Sequence, residues 1–92
     1  MKKRIAIIGF GSVGQTVLKQ VDQNSEFANR FEIHAIWNRS YNVFEDKGIP
    51  SGIILYRDIE DLIADLDKVD LVIECAHSSV LIEYGVKILA LA

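Results

Sequence analysis

The sequence carries one cysteine, one proline and no long apolar run in its 92 residues. The lone thiol, Cys75, excludes an internal disulfide and any cysteine-rich metal site. Basic residues number 10 against 13 acidic ones, a formal net charge of −3, and no basic run extends beyond Lys2-Lys3-Arg4. A broad cationic face for a phosphate backbone is therefore excluded, and no nucleic-acid partner is expected. The apolar stretch Ile5 to Ile8 runs straight into Gly9. That is far too short for the hydrophobic region of a signal peptide, and no other stretch is long enough to span a bilayer. A soluble chain in a reducing, cytoplasmic setting is the expectation, with no membrane partner. The acids Glu60, Asp61, Asp65 and Asp67 fall at the spacing of a solvated helix face, and no metal site is expected.

What is present is apolar for so short a chain: half of the residues are hydrophobic, and the mean hydropathy is +0.20. A chain of this size holds one domain at most and buries proportionally little surface. Arg4 to Ile8 is a β-favouring run ending at a glycine, as expected of a strand buried on both faces. Val13, Val17, Leu18 and Val21 then recur at helical spacing, and the helix is expected to stop near Asn24-Ser25. Phe31 to Trp37 predicts a second strand. Asn38 to Gly52 is loop-like, with one helical turn allowed between Tyr41 and Asp46. Ile53 to Tyr56 predicts a third strand. Asp58 is placed to cap a helix with Ile59, Leu62, Ile63 and Leu66 on one face. Leu71 to Cys75 predicts a fourth strand, and Ser78 or Ser79 caps a final helix through Leu81, Tyr84, Gly85 and Ile88.

Strands alternating with helices imply an α/β fold with a parallel sheet and helices on both faces. The expected strand order is 3-2-1-4, the beginning of a Rossmann-type fold. Residues 1–92 then form one incomplete domain, because such a fold needs further strands beside the fourth. The ending Leu89-Ala90-Leu91-Ala92 has no helix stop signal, so truncation is expected, with a substrate and catalytic domain lying elsewhere.

Gly9-Phe10-Gly11-Ser12-Val13-Gly14 follows a strand, opens a helix and is succeeded by a second strand. In that setting a G-x-G-x-x-G run predicts a dinucleotide site. Gly9 permits the turn, Gly11 lets the backbone approach a pyrophosphate, and Gly14 lets helix and strand pack closely. The N–H groups and dipole at the helix start, from Ser12, favour phosphate. Sites for NAD usually place an acid at the end of the second strand. Here Asn38 and Arg39 stand at that place. No carboxylate repels a 2′-phosphate and Arg39 is able to pair with one, which favours NADP over NAD or allows both.

Glu74-Cys75-Ala76-His77-Ser78-Ser79 falls at the carboxyl end of the fourth strand, the edge that lines the ligand crevice in open α/β sheets. Ala76 leaves room for the cofactor, and Ser78 supplies a hydroxyl. His77 is read as a cofactor contact or a residue at the rim rather than a catalytic base, because no orienting partner is visible. Cys75 is read as a small core residue beside the cofactor, and Glu74 must reach water or find a partner. His34, inside a strand, is read as structural.

Taken together, Gly9 to Gln15, Ile36 to Arg39, Asp70 to His77 and Glu83 to Leu89 resemble the aspartate dehydrogenase family, including the aspartate dehydrogenase domain-containing proteins of animals. The resemblance spans nearly all of the chain but only the N-terminal third or so of such an enzyme. The Glu74-Cys75-Ala76-His77 stretch with the helix Glu83-Tyr84-Gly85 is its most specific part. The resemblance implies NAD(P)-dependent oxidation of L-aspartate, with hydride passing to the nicotinamide and iminoaspartate hydrolysing to oxaloacetate and ammonia. It also implies that Gly9 to Gly14 hold the pyrophosphate, Asn38 and Arg39 the adenosine ribose, and Ala76 to Ser78 the nicotinamide end. The family's catalytic histidine and substrate-binding domain fall beyond residue 92. No catalytic residue is assigned, and residues 1–92 alone are expected to be inactive. Homoserine dehydrogenases are similar in the glycine motif and less so afterwards. A homoserine dehydrogenase-like cofactor domain, a non-catalytic NAD(P)-sensing module and a degenerate fragment that binds nothing stay open as alternatives. An apolar fourth strand at an open edge predicts self-association into a homo-oligomer.

Overall fold

A computed structural model describes residues 2–75. Strand β1 (Lys3–Ile8) is followed by helix α1 (Ser12–Gln23), a short helix α2 (Ser25–Arg30) and strand β2 (Phe31–Trp37). A 3-10 turn at Tyr41–Phe44 leads to β3 (Ile54–Tyr56). Helix α3 (Ile59–Ala64), a 3-10 turn at Leu66–Lys68 and β4 (Leu71–Glu74) complete it. All pairings are parallel and the order is β3-β2-β1-β4, as the alternation of strands and helices predicts.

The sheet is covered on both faces, which is why its central strands are apolar throughout. Ile5, Ile7, Ile33 and Ile36 pack against Leu18, Val17 and Val21 of α1. Ala6, Ile8, Ala35 and Trp37 pack against Ile59, Leu62 and Ile63 of α3 and against Leu66. β1 is the most buried strand, whereas β4 is exposed at Leu71 and Glu74. Exposure at Glu74 removes the desolvation cost that a carboxylate would meet inside the sheet.

Apart from one-residue shifts at strand ends, with β1 beginning at Lys3, β3 at Ile54 and β4 ending at Glu74, the elements depart from the sequence reading in three places. Helix α2 was not expected. Asn24 ends α1 and starts α2, its side-chain oxygen accepting from the N–H of Glu26 (3.0 Å) and of Phe27 (3.4 Å). α3 stops at Ala64, so Leu66 belongs to the following 3-10 turn and not to the helix. Third, β2 is not regular. Its pairing with β1 runs Ile5 to Ile33 and then Ala6 to Ala35, so His34 is an extra residue in the strand, a bulge. The expected final helix from Ser78 lies outside the described residues.

Candidate dinucleotide site

Four chain segments meet at the carboxyl edge of the sheet, held by main-chain bonds that close off β1. The N–H of Gly9 donates to the carbonyl of Trp37 (2.7 Å), and the N–H of Cys75 donates to that of Ile8 (2.7 Å). The indole N–H of Trp37 donates to the carbonyl of Arg57 (3.1 Å). Gly9, Asn38, Arg57 and Cys75, each the first residue after its strand, are thereby brought side by side.

Gly9 sits at φ +96°, a conformation that L side chains rarely adopt. Gly14 is required by packing: a Cβ there would collide with the carbonyl oxygen of Gly9. Gly11 is different. Its φ is −77°, and a Cβ built on it would meet no protein atom within 4 Å. Among the described residues neither strain nor packing requires a glycine at position 11.

α1 begins at this loop with Gly11 as its N-cap, no side chain capping it and no acid in its first turn. The first intrahelical bond runs from the N–H of Gln15 to the carbonyl of Gly11 (2.9 Å). The N–H groups of Ser12, Val13 and Gly14 precede it at the positive end of the helix, where an anion is favoured. Ser12 and Val13 are exposed there, Val13 at 61%.

Phe10 turns the other way. Its side chain is buried and packs against Phe44 with ring centroids 5.4 Å apart. Its N–H donates to the side-chain oxygen of Asn38 (2.8 Å), and its carbonyl accepts from the Gln15 amide (3.0 Å). The Asn38 amide nitrogen donates in turn to the carbonyl of Ser40 (2.9 Å). Both ends of the Asn38 carboxamide therefore hold backbone. Arg39 is exposed and makes no hydrogen bond or ion pair among the described residues.

Arg57 is a functional candidate that the sequence reading missed. β2 and β3 pair in register, Trp37 opposite Tyr56, which puts Arg57 beside Asn38 at the same edge. Its guanidinium carbon lies 3.8 Å from the centre of the Tyr41 ring. Tyr41 meets Phe44 edge-on with centroids 5.3 Å apart. A line of contacts, Phe10–Phe44–Tyr41–Arg57, thus joins the glycine loop to the end of β3, and the ring face holds the cation in one orientation. The only sequence signal for Arg57 was its place one residue past a strand.

Cys75 is half-buried, packed against the α1-side core. Burial foremost, then the neighbouring Glu74 charge, pushes its thiol pKa above the ordinary value, so it stays protonated at neutral pH. Ala76, His77 and Ser78 lie outside the described residues. Among the described residues no group of acids, histidines and cysteine is arranged to hold a metal, and no helix is long and apolar enough to cross a membrane.

The sequence model of the family described as "Homoserine dehydrogenase, NAD binding domain" matches residues 9–91. Among solved structures, the crystal structure of a probable oxidoreductase, yhhX, is similar, with 26% identity and a TM-score of 0.70. The likeness covers 98% of this chain and 25% of that one, so the chain spans a quarter of that protein's length. No curated protein matches the sequence.

Proposed function

The chain belongs to the homoserine dehydrogenase NAD-binding domain family, and from that premise we propose that it is the cofactor-holding part of an L-aspartate dehydrogenase-like oxidoreductase. One observation carries the reading of the site. Among the described residues neither strain nor packing requires glycine at position 11, and it stands at a helix start with no side-chain cap, where a phosphate group is favoured. A pyrophosphate lying against that backbone supplies a further reason for a residue without a Cβ, beyond the N-cap position itself. The residues present thus fit NAD(P).

In this reading the Ser12, Val13 and Gly14 amides hold the pyrophosphate. Asn38 keeps the loop in place through Phe10, and Arg39 and Arg57 face the adenosine ribose. Two arginines and no carboxylate beside Asn38 favour a 2′-phosphate, hence NADP over NAD. By the resemblance to aspartate dehydrogenases, Cys75, Ala76, His77 and Ser78 are assigned to the nicotinamide end. When bound, the nicotinamide takes the hydride released from the substrate's α-carbon. The groups that bind substrate and move its proton belong to another part of the parent protein. Residues 1–92 hold the cofactor and carry out no turnover by themselves.

Titration of the protein with NADPH and NADH, followed by nicotinamide fluorescence, tests the site. Saturable binding abolished by Gly11→Asp is expected, with NADPH tighter than NADH and the difference reduced in Arg39→Ala. Binding unaffected by Gly11→Asp overturns the site assignment.

The substrate rests on the resemblance to aspartate dehydrogenases in Glu74-Cys75-Ala76-His77 and the following Glu83-Tyr84-Gly85. A second reading, oxidation at the hydroxyl of L-homoserine, is favoured by the description of the matching family. Assays of the full-length protein with L-aspartate and with L-homoserine separate the two. Turnover of homoserine alone rejects the first.

A further inference from the structure

The bulge in β2 carries a side chain that the site above does not use. His34 is mostly buried, with 10% of its side chain exposed, and it bonds at both ring nitrogens. A terminal guanidinium nitrogen of Arg4 lies 2.7 Å from Nδ1, and Asp65 Oδ2 lies 3.0 Å from Nε2. A guanidinium only donates, so Nδ1 accepts and the proton sits on Nε2, which donates to Asp65. Asp65 follows the last residue of α3. It also accepts the Tyr56 hydroxyl at 2.7 Å and the Lys68 ammonium at 3.0 Å. Arg4 has Glu32 at 3.6 Å. His34 is thus tied to β1, to the end of α3 and, through Asp65, to β3.

The consequence is felt at the other end of the strand. Ile33 faces α1 and Ala35 faces α3, although regular alternation would put positions 33 and 35 on one face. The extra residue inverts every side chain after it and moves the pairing by one place. With the bulge, Ile8 lies opposite Trp37, and Asn38 comes level with Gly9. Without it, Ile8 would lie opposite Ile36. Trp37 would turn to the α1 face, and Asn38 would stand about 3.3 Å further along on the opposite face, away from the Phe10 N–H.

We propose that His34 is a positioning residue for the glycine loop: by fixing the bulge from the far half of the sheet, it sets the register that brings Asn38 to Phe10. The claim rests on reading that loop as the nucleotide's seat. It differs from a purely structural role because it links a side chain on the α3 face to the loop and not just to α3.

The test uses the full-length protein and compares wild type, His34→Leu and His34→Gln. Gln keeps a donor for Asp65, whereas Leu leaves a mostly buried acid short of a partner. Amide hydrogen exchange is followed in the segments covering residues 5–12 and 59–66, and NADH affinity by nicotinamide fluorescence. His34→Leu is expected to speed exchange at the Gly9 and Phe10 amides and to weaken NADH about tenfold. His34→Gln should stay within about threefold of wild type. Faster exchange confined to residues 59–66, or a loop unchanged in His34→Leu, overturns the proposal. Should His34→Leu fail to fold, Asp65→Asn, which weakens the hold on the imidazole, carries the same comparison. Exchange needs no nucleotide, so a wild-type protein binding neither NADH nor NADPH would reject the proposed function while the positioning claim is still decided.

Discussion

The N–H of Phe10 donates to the side-chain oxygen of Asn38, 28 residues away, at 2.8 Å. In the proposed site, a loop that presents other N–H groups to the nucleotide is steadied by one that faces away from it. Asn38→Ala would leave that donor without its acceptor, a loss of about 1–2 kcal/mol, and should weaken NADH and NADPH alike. Asn38→Asp keeps an acceptor for Phe10 but loses the bond to Ser40 and adds a negative charge beside Arg39. It should weaken NADPH several-fold more than NADH, and the two dissociation constants check this. Equal losses for both nucleotides would mean that the 2′-phosphate does not lie at this edge.

Gly11 and Gly14 should separate stability from binding. Gly14→Ala drives a methyl group into the Gly9 carbonyl and should destabilise the fold by about 2 kcal/mol or more, read from urea unfolding. Gly11→Ala meets no protein atom within 4 Å and has an ordinary φ. It should lose only the modest preference of a helix N-cap for glycine over alanine, about 1 kcal/mol or less and well short of the loss in Gly14→Ala. Its nucleotide affinity should nevertheless fall about tenfold or more. Undiminished affinity in Gly11→Ala would remove the main support for the site.

The same contrast shows what the sequence makes legible. Strand order, the helix opening at Ser12 and the Asp58 cap were readable because each rests on a local pattern: apolar runs, helical spacing, or an acid before a helix. The Asp58 oxygen does accept from the Glu60 N–H at 3.1 Å. Helix α2 left no such trace, since none of its six residues is buried and no apolar period marks it. The bulge was invisible for another reason. In Ile33-His34-Ala35-Ile36-Trp37 almost every residue is apolar, so a change of face leaves no polar residue out of step. Arg57 required pairing information: it comes beside Asn38, 19 residues earlier, only through the register of β2 and β3.

Arg57 should act with Tyr41 and not alone. Arg57→Met removes the charge and the ring contact, and should weaken NADPH with little effect on NADH. Tyr41→Leu leaves the charge but frees the guanidinium, and should produce a smaller loss of the same kind. Exposed cation–π pairs contribute about 0.5–1 kcal/mol, so roughly a two- to fivefold change is expected. The ratio of the two dissociation constants in each variant is the measurement. An unchanged ratio in Arg57→Met would remove Arg57 from the site.

Asp65 and Tyr56 give the fold opposite sensitivities to acid and alkali. Hydrogen bonds from Tyr56 foremost, then from Lys68 and His34, hold the Asp65 carboxyl well below its ordinary value of 3.8. The folded state therefore gains stability from Asp65 that is complete above pH 3.8 and is lost as the pH falls below it. Tyr56 is pushed from 10.0 up to about 12, by burial first and then by its bond to Asp65. Here the protonated form is the favoured one, so the stabilisation is complete below pH 10.0 and is lost as the pH rises toward about 12. Tyr56→Phe deletes the hydroxyl and should cost about 1.5 kcal/mol at neutral pH. It should also flatten the alkaline limb of a stability profile measured by urea unfolding. Asp65→Asn should flatten the acid limb and, by removing the acceptor's charge, let a tyrosine titrate closer to its ordinary value. That tyrosine can be followed by phenolate absorbance. An alkaline limb equally steep in wild type and Tyr56→Phe would mean that another group governs it.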